Sequence, residues 1–556
     1  MRATATLALL LGAASGCAMF APGPSADRCT SDLDCGPGQL CFAEGCGDPG
    51  KGIVVEVGGE PIGGLYARDV PIADGSLGKT RDFDLGGPLQ VTGEFQREKT
   101  GNVDPTNRTF YNEPVIVRAI GESELIPGIS RVFEQRFERP ERGRYVMNVG
   151  AGRFHLTAWP VDPSVPPASV SGLLVSPDSA PDVTFAFPAV EGAVTISGRL
   201  LKRIDPTQVP NLEIALTGTS MDVQAFEPDN HQPLSQRFPI SSQGVFTLTL
   251  GPRAKELPAV LFEVTPRGNT TPTPSKTFLV EAPFPNSVTL ELGDYGEAVN
   301  VTGHVVDSKG APLSGAQVVI QGVVNGGGTF RSRVVLTDAD GAFTLSTLAN
   351  PPERPLSLYV FPPAMSEAAV THAKLEIDAT TGKLQPEVVR CDERLTVRGK
   401  VLTPAGEPAA AVSVRALEHA TSVDPATARP FPLDPVEVQT EADGTFELKL
   451  DPATWRLEFV APGLPLASRL VTVRALPDDK GEPDTELDLP VVTLAKGRTV
   501  TGRVTGTVSL TANAPIPHST LRFFRVTPVE GRNSAILLGS TVADDQGQYT
   551  IVLPSR

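Results

Sequence analysis

The sequence of 556 residues has few aromatic residues, only six histidines and no run of basic residues. Aromatic side chains make up 6% of the chain, and two of them are tryptophans. Lys and Arg number 48 against 64 Asp and Glu, which gives a formal net charge of -16 at pH 7. Binding to nucleic acid relies on clustered positive charge, so we expect no nucleic-acid partner.

The motifs of common catalytic sites are also missing from the sequence. It contains no H-E-x-x-H zinc motif, no G-x-S-x-G nucleophile elbow, no phosphate-binding glycine loop and no dinucleotide-binding fingerprint. The histidines are scattered and do not stand at metal-ligand spacing from one another or from a cysteine. We therefore expect no catalytic residues, no enzyme activity, no cofactor and no metal.

No apolar run is long enough to be a membrane-spanning helix, but the N-terminus carries a shorter one. MRATATLALLLGAASGC has one basic residue, an apolar run and small residues before Cys17, which is typical of an export signal. Its ending resembles a bacterial lipobox, although Ala14 stands where leucine is usual. The resemblance implies a lipid on Cys17 that tethers the mature chain to a membrane, and Ala18 implies the outer membrane of the cell envelope. Ordinary secretion is the alternative.

Four of the six cysteines cluster just after this signal. Cys29, Cys35, Cys41 and Cys46 lie in a segment too short to bury a core, so we predict two disulfides there. Three pairings are possible. A zinc site is the alternative, but the C-x5-C-x5-C-x4-C spacing is not that of a zinc ribbon. Cys391 stands alone and is expected to be a small buried residue.

A strand-like pattern with a central glycine recurs about every 100 residues, which is the length of a small sandwich domain. In VNVTGHV the apolar side chains alternate, so one face of a strand is buried and Gly303 lies on that face. A side chain in place of this glycine is expected to collide with the facing sheet. The recurring glycines are Gly93, Gly198, Gly303, Gly399 and Gly502.

A second pattern, Gly-x-aromatic, follows each of these glycines. In TDADGAF it is preceded by Asp338 and Asp340, which raises the possibility of a calcium loop. The carboxylates do not recur in the other copies, whereas the glycine and the aromatic residue do. The pattern therefore predicts a hairpin turn followed by a core aromatic residue. The pairs are Gly143 and Tyr145, Gly244 and Phe246, Gly341 and Phe343, Gly444 and Phe446, and Gly547 and Tyr549.

The stretches VTGHVVDSKGAPLSGAQVVIQG from Val301 and LTVRGKVLTPAGEPAAAVSVRAL from Leu395 carry both patterns together. They resemble the carboxypeptidase regulatory-like domain, which implies a transthyretin-like β-sandwich of about seven strands. The predicted fold class is therefore all-β, a tandem array of about five Ig-like or transthyretin-like sandwiches. No metallopeptidase domain accompanies them, and the motifs specify a fold better than a function.

The phase of the repeat divides the chain and exposes an irregularity. The segment before the first repeat looks like closing strands without an opening half, and the chain stops just after the last Gly-x-aromatic pattern. Either the sequence is a fragment of a longer lipoprotein, which we favour here, or the boundaries lie elsewhere in the repeat. The predicted divisions are signal peptide 1–16, linker 17–28 after the lipidated cysteine, Cys-rich segment 29–46, leading strands 47–86, sandwiches 87–190, 191–296, 297–392 and 393–495, and an incomplete sandwich 496–556.

These features lead to two functional hypotheses. The first is a non-enzymatic surface scaffold or adhesion protein, in which the sandwiches form a semi-rigid rod and their loops bind another protein or a surface polysaccharide. The second is a carbohydrate-binding protein. Trp455 in TWRLEFV occupies the aromatic strand position of the family that the chain resembles, which implies a place in the core. Trp159 is out of phase with Phe154, Leu156 and Ala158. Trp159 is therefore the candidate ligand contact, with packing on a neighbouring domain as the alternative.

Overall fold

The computed structural model consists almost entirely of β-strands. It describes residues 40–42, 45–47, 52–59, 66–73 and 80–554, except for 88, 99–107, 124, 127–128, 177–178, 189–192, 206–211, 216–219, 269–270, 294, 350–355, 365, 378–382, 420–428, 475, 478–482, 509–510 and 530–531. Two short 3-10 helices occur at Glu141–Gly143 and Pro252–Glu256. In this part of the chain no helix has the length and apolarity needed to cross a membrane. The predicted all-β fold class is confirmed.

The strands before the first repeat form a small hairpin and three further elements. The hairpin pairs β1 with β2 in antiparallel fashion. The strands are β1 (Leu40–Phe42), β2 (Gly45–Gly47), β3 (Gly52–Gly59), β4 (Tyr66–Ala73) and β5 (Phe83–Asp84).

Units 1 and 2 are two-sheet sandwiches over residues 89–187 and 194–291. Unit 1 contains β6 (Leu89–Glu98), β7 (Arg108–Phe110), β8 (Val115–Glu122), β9 (Ser130–Phe137), β10 (Arg144–Val149), β11 (Gly152–Pro160), β12 (Ala168–Val175) and β13 (Asp182–Phe187). Unit 2 contains β14 (Val194–Asp205), β15 (Leu212–Ala215), β16 (Met221–Phe226), β17 (Phe238–Pro239), β18 (Val245–Leu250), β19 (Ala259–Pro266), β20 (Lys276–Glu281) and β21 (Ser287–Glu291).

Units 3 and 4 cover residues 298–390 and 395–493. Unit 3 contains β22 (Ala298–Val306), β23 (Gln317–Val323), β24 (Thr329–Arg331), β25 (Val335–Leu336), β26 (Ala342–Leu348), β27 (Ser357–Phe361), β28 (Thr371–Lys374) and β29 (Lys383–Arg390). Unit 4 contains β30 (Leu395–Leu402), β31 (Ser413–Glu418), β32 (Val436–Gln439), β33 (Thr445–Leu450), β34 (Ala453–Val460), β35 (Ala467–Val473), β36 (Leu476–Pro477), β37 (Pro483–Asp484), β38 (Glu486–Asp488) and β39 (Val492–Thr493).

The last part of the chain, residues 497–554, contributes to unit 5. Its strands are β40 (Gly497–Val508), β41 (Thr511–Pro515), β42 (Thr520–Val529), β43 (Arg532–Val542) and β44 (Gln548–Pro554).

All five units share one topology. The first strand of each unit is central in its sheet, pairs antiparallel with the strand of the Gly-x-aromatic pattern, and pairs parallel with the strand that closes the unit. The second sheet has four main strands, such as β32-β31-β34-β35 in unit 4. Because the first and last strands are parallel, the chain enters a unit at one end and leaves it at the opposite end.

The two glycine patterns are direct cross-strand partners. Gly303 stands opposite Phe343, and the same register recurs in all five units. A Cβ on Gly303 would lie 2.9 Å from the Phe343 ring. The expected collision with the facing sheet is therefore wrong for this glycine. It makes room for the aromatic ring on the neighbouring strand of its own sheet.

The second glycine of each pair sits in a turn that demands positive φ. Gly341 has φ 72 and its N–H donates to the carbonyl of Asp338. A Cβ there would stand 2.3 Å from the carbonyl oxygen of Val305, so only glycine fits this turn. The matching glycines of the other units also have positive φ and meet the equivalent carbonyl.

Unit 5 is completed by the strands that precede unit 1. β3 pairs antiparallel with β42, and β5 pairs parallel with β40, which gives the sheet order β4-β3-β42-β43. Ile53, Val55 and Val57 are buried in one core with Phe523 and Leu553. The expectation of an incomplete fifth sandwich is therefore corrected, since the leading strands provide its closing half.

This closure also corrects the expected open rod. Unit 5 is linked along the chain to unit 4 through residues 494–497 and to unit 1 through residues 85–88. Units 2 and 3 share a single hydrophobic core. The peptide N–H of Val370 in unit 3 donates to Asp451 of unit 4 over 2.6 Å. The five units therefore trace a closed circuit.

Candidate functional site

Trp159 faces outward from the four-stranded sheet of unit 1. Phe154, Leu156 and Ala158 on the same strand are fully buried, which confirms the predicted alternation. The cross-strand partner of Trp159 on β8 is Ile116. Both side chains are half-buried, so part of the indole is accessible to solvent.

Arg118 covers one face of this indole. Its guanidinium carbon lies 5.7 Å from the ring centroid, and its Nε donates to Glu134 over 2.7 Å. At exposed positions a cation–π contact and an ion pair each contribute up to about 1 kcal/mol.

Apolar side chains extend the same outer surface. Ile120 and Val132 are cross-strand partners, 44% and 62% exposed. We refer to Ile116, Arg118, Ile120, Val132 and Trp159 as the Trp159 face. Such a surface suits the apolar side of a sugar ring or a protein partner. The five residues of this face include no nucleophile and no carboxylate.

Unit 2 approaches the strand that carries Trp159. The hydroxyl of Thr157 donates to the side chain of Gln232 over 2.8 Å, and Thr157 is buried. The amide of Gln236 donates to the carbonyl of Pro160 over 2.9 Å. Trp159 thus lies on a strand whose neighbouring residues contact unit 2. Its role as a ligand contact stays a prediction.

The same joint contains a cleft of about 460 Å³. It is lined from unit 1 by Ser169 and Phe185, and from unit 2 by Gln232 and Arg253. The buried carboxylate of Glu227 accepts from Arg253 over 3.1 Å, which balances its charge. The cleft is therefore a gap between two sandwiches, largely lined by apolar residues, and its buried acid is already paired.

Similar clefts lie at the next two joints. One of about 340 Å³ separates units 2 and 3 and is lined by Thr273, Asn300 and Arg333. Another of about 360 Å³ separates units 3 and 4 and is lined by Phe361 and Pro432. Because clefts of comparable size recur at successive joints, we interpret them as a result of packing curved sandwiches end to end.

Two buried tyrosines and a buried cysteine carry strongly raised pKa values. Burial raises the pKa of Tyr145 and Tyr549 well above the usual tyrosine range, and each hydroxyl donates to a backbone carbonyl of its own unit. Burial also raises the pKa of Cys391 to about 11. Its thiol stays protonated at neutral pH and is a poor nucleophile. The prediction that Cys391 is buried is confirmed.

Of the cysteines predicted to be modified, Cys17, Cys29 and Cys35 lie outside the described residues. The backbone register places Cys41 directly opposite Cys46 in the β1–β2 hairpin. The lipid on Cys17 and the two disulfides remain predictions.

The carboxylate of Asp338 is engaged by its own turn. It accepts from the peptide N–H of Asp340 over 3.0 Å and from that of Ala342 over 2.8 Å, so the turn interpretation is confirmed. Among the residues with described positions, no three His, Cys, Asp or Glu side chains come together as metal ligands do.

Sequence reasoning missed the residues that join the units. Glu56 on β3 forms ion pairs with Arg522 of unit 5 and with Arg131 of unit 1. The side chains of Arg131 and Glu56 are 6% and 12% exposed. These three charged residues lie outside the repeated glycine and Gly-x-aromatic patterns, and the sequence predictions were based on those patterns. No local pattern marks a charged strand residue as a partner for another domain.

Comparison with protein families finds one match. Residues 300–384, which make up most of unit 3, match the carboxypeptidase regulatory-like domain. This confirms the predicted resemblance for that unit. A comparison with curated proteins finds no match to this chain.

Several solved structures of bacterial proteins, pilins among them, align with parts of the chain. A streptococcal ancillary pilin is 14% identical, with 55% of this chain and 99% of the pilin covered and a TM-score of 0.22. The Bacillus anthracis TIE protein is 11% identical, with 73% of each chain covered and a TM-score of 0.16. The full-length RrgB pilus protein of Streptococcus pneumoniae is 11% identical, with 74% and 98% covered and a TM-score of 0.13. Scores this low do not show a shared overall arrangement.

Proposed function

We propose that this chain is a non-enzymatic cell-envelope lipoprotein that serves as a multidomain surface scaffold or adhesion protein. The observation that carries the proposal is the way its sandwiches are fixed to one another by buried contacts. Units 2 and 3 share a core, and Glu56 links unit 5 to unit 1. Joints of this kind hold the loops of different units at set separations, which a scaffold requires.

The chemistry of the described residues supports a binding role over a catalytic one. The hydroxyls of Tyr145 and Tyr549 donate to backbone carbonyls, the buried Glu227 is paired with Arg253, and the exposed Trp159 face holds no nucleophile. The net charge of -16 favours a soluble, mutually repulsive surface.

The membrane anchor is tested by metabolic labelling with an alkyne fatty acid. We expect the wild-type chain to take up the label and to fractionate with the outer membrane, and the Cys17→Ser variant to lose both properties. Cys391→Ala, which removes a buried cysteine elsewhere, is the matched control and should keep the label. An unlabelled wild-type chain would refute the anchor.

The scaffold role is tested on whole cells. Protease added to intact cells should digest a surface-displayed chain, and cells that lack the protein should adhere less well to their natural surfaces. Restoring the wild-type chain should restore adhesion, whereas restoring the Cys17→Ser variant should not. Adhesion that does not depend on the protein would count against this role.

A second candidate function, carbohydrate binding, is favoured by the half-exposed indole of Trp159 beside Arg118. The test is saturable binding of the lipid-free mature chain to isolated cell-envelope polysaccharide. Trp159→Ala should abolish it, and Val542→Ala, which trims a 59% exposed side chain on unit 5, should not. Binding unaffected by Trp159→Ala would remove this face as the sugar site.

A further inference from the structure

Unit 5 is built from two segments at opposite ends of the chain. The carboxylate of Glu56 on β3 pairs with Arg522 on β42, 466 residues away in sequence. The hydroxyl of Tyr549 donates to the carbonyl of Arg81 over 2.6 Å across 468 residues. We infer that this sandwich also forms between molecules, with β3, β4 and β5 of one copy completing the unit 5 of a second copy.

The contacts between the two segments are those of an ordinary sandwich. β3 and β42 are register partners over six positions, from Ile53 opposite Arg525 to Gly58 opposite Thr520. Phe83 stacks on Tyr549 with ring centroids 5.9 Å apart. These contacts are non-covalent, so the same set forms whether the two segments belong to one molecule or to two. Exchange of identical elements between copies is a low-cost route to assembly.

The donated segment, which is the stretch from β3 to β5, keeps its contacts with unit 1 when it is exchanged. Residue 84, at the end of β5, is followed after four residues by β6 of unit 1. Ile126 of unit 1 packs against Val54 and Phe524, and Arg131 pairs with Glu56. An exchanged copy therefore keeps the contacts of unit 1 with unit 5, and it gains a partner without losing a packed surface.

The topology also gives the assembly a direction. Each unit is entered at one end and left at the other, because its first and last strands run parallel. A copy thus offers an incomplete unit at its C-terminal side and the missing strands at its N-terminal side. Such head-to-tail complementarity produces a ring when it closes within a small number of copies and a filament when it does not.

Closure within one chain competes with closure between chains. Segments tethered to each other meet at an effective concentration on the order of millimolar. The fraction of exchanged molecules is therefore expected to be small in dilute solution. While single chains dominate, this fraction rises about tenfold for a tenfold rise in protein concentration. The inference does not depend on the proposed surface role.

Two variants that each introduce one further cysteine test the exchange directly. Gly58→Cys and Thr520→Cys alter directly opposed strand residues, and opposed Cα atoms at ~4.5–5.5 Å suit a disulfide. A bond between positions 58 and 520 in a mixture of the two single variants arises only between molecules. The variants are refolded together over a range of concentrations, oxidised, and mapped by peptide mass spectrometry. The double variant serves as the reference for closure within one chain.

Unit 4 offers a matched control, because its closing strands are continuous with the rest of the unit. Thr454→Cys and Thr472→Cys alter a cross-strand pair of β34 and β35, and a mixture of these single variants should give no bond between molecules. We expect linked dimers and larger species from the unit 5 mixture, increasing with concentration. A double variant that links fully within one chain while the mixture never links overturns the inference. If the double variant does not link, light scattering of the wild-type chain decides, and a mass of one chain at every concentration also overturns it.

Discussion

Units 4 and 5 have the same sheets but reach them by different routes along the chain. In unit 4 the second sheet runs β32-β31-β34-β35, and in unit 5 it runs β43-β42-β3-β4. The continuous strands β34 and β35 thus have their counterparts in β3 and β4 from the N-terminal segment. The pairing of strands, and not the order of segments along the chain, defines this sandwich.

The difference lies in what must be brought together. In unit 4, β33 leads into β34 through a short turn. In unit 5 the N–H of Arg503 reaches the carboxylate of Asp82 across 421 residues. For a flexible chain each doubling of loop length costs ~0.6 kcal/mol, so a long separation is tolerated. We expect unit 5 to close last and to open first.

The largest effect should follow removal of the donated strands. Deleting residues 47–86 takes Ile53, Val55, Val57, Phe83 and Leu85 out of the unit 5 core. Each buried apolar side chain contributes about 1.5–3 kcal/mol, and together they rival the whole stability of a domain. Limited proteolysis should cleave within residues 496–556 while units 2 to 4 stay intact. A synthetic peptide spanning residues 50–86 should restore resistance, and resistance without it would contradict the pairing.

The ion pairs of Glu56 come next. Glu56→Ala removes the carboxylate that Arg131 and Arg522 share, and breaking the buried pair with Arg131 costs about 3–5 kcal/mol. The matched change in unit 4, Glu447→Ala, breaks an exposed pair with Arg398 and should cost under about 1 kcal/mol. Hydrogen exchange of each unit in increasing urea measures the loss of unfolding free energy for both variants. Equal losses would show that the joint between units 5 and 1 is not tight.

The strand glycines give a smaller, graded comparison. Gly399→Ala in unit 4 places a Cβ 2.6 Å from the Phe446 ring, which shifts at a cost of about 1–3 kcal/mol. Gly502→Ala in unit 5 places it 1.8 Å from the carbonyl oxygen of Arg81. Because that atom belongs to the backbone of the donated segment, we expect the larger loss of stability for Gly502→Ala. It should be seen as a lower Tm for unit 5. A smaller loss at position 502 would mean that the donated segment is loosely held.

The smallest effect concerns the tyrosine hydroxyl that unit 5 has and unit 4 lacks. Tyr549→Phe removes a hydrogen bond to Arg81 and should cost about 0.5–1.5 kcal/mol. Burial raises the folded-state pKa of Tyr549, so its contribution is full below the unfolded pKa of about 10 and is lost as pH rises above it. Alkaline titration should destabilise unit 5 before unit 4, where Phe446 stands in this place. Tyr549→Phe should reduce that difference.

Much of each sandwich was predictable because its determinants are local and repeated. The alternation around Gly303 and the turn at Gly341 follow from strand periodicity and backbone sterics. The burial of Trp455 was implied by the family resemblance. The half-burial of Trp159 was only partly predictable. Its alternation places it outward, but the contacts that its strand makes through Thr157 and Pro160 come from a different unit.

The sequence by itself determined the all-β class, the spacing of the repeats and the paired glycine and aromatic positions, because these depend on contacts within one sheet. Only the tertiary structure decided that the leading strands belong to unit 5. Strand edges carry the same N–H and C=O groups in every unit, so the local pattern does not say which edge a strand will pair with. Complementary core side chains such as Val55 and Phe523, together with the single Glu56, select the partner.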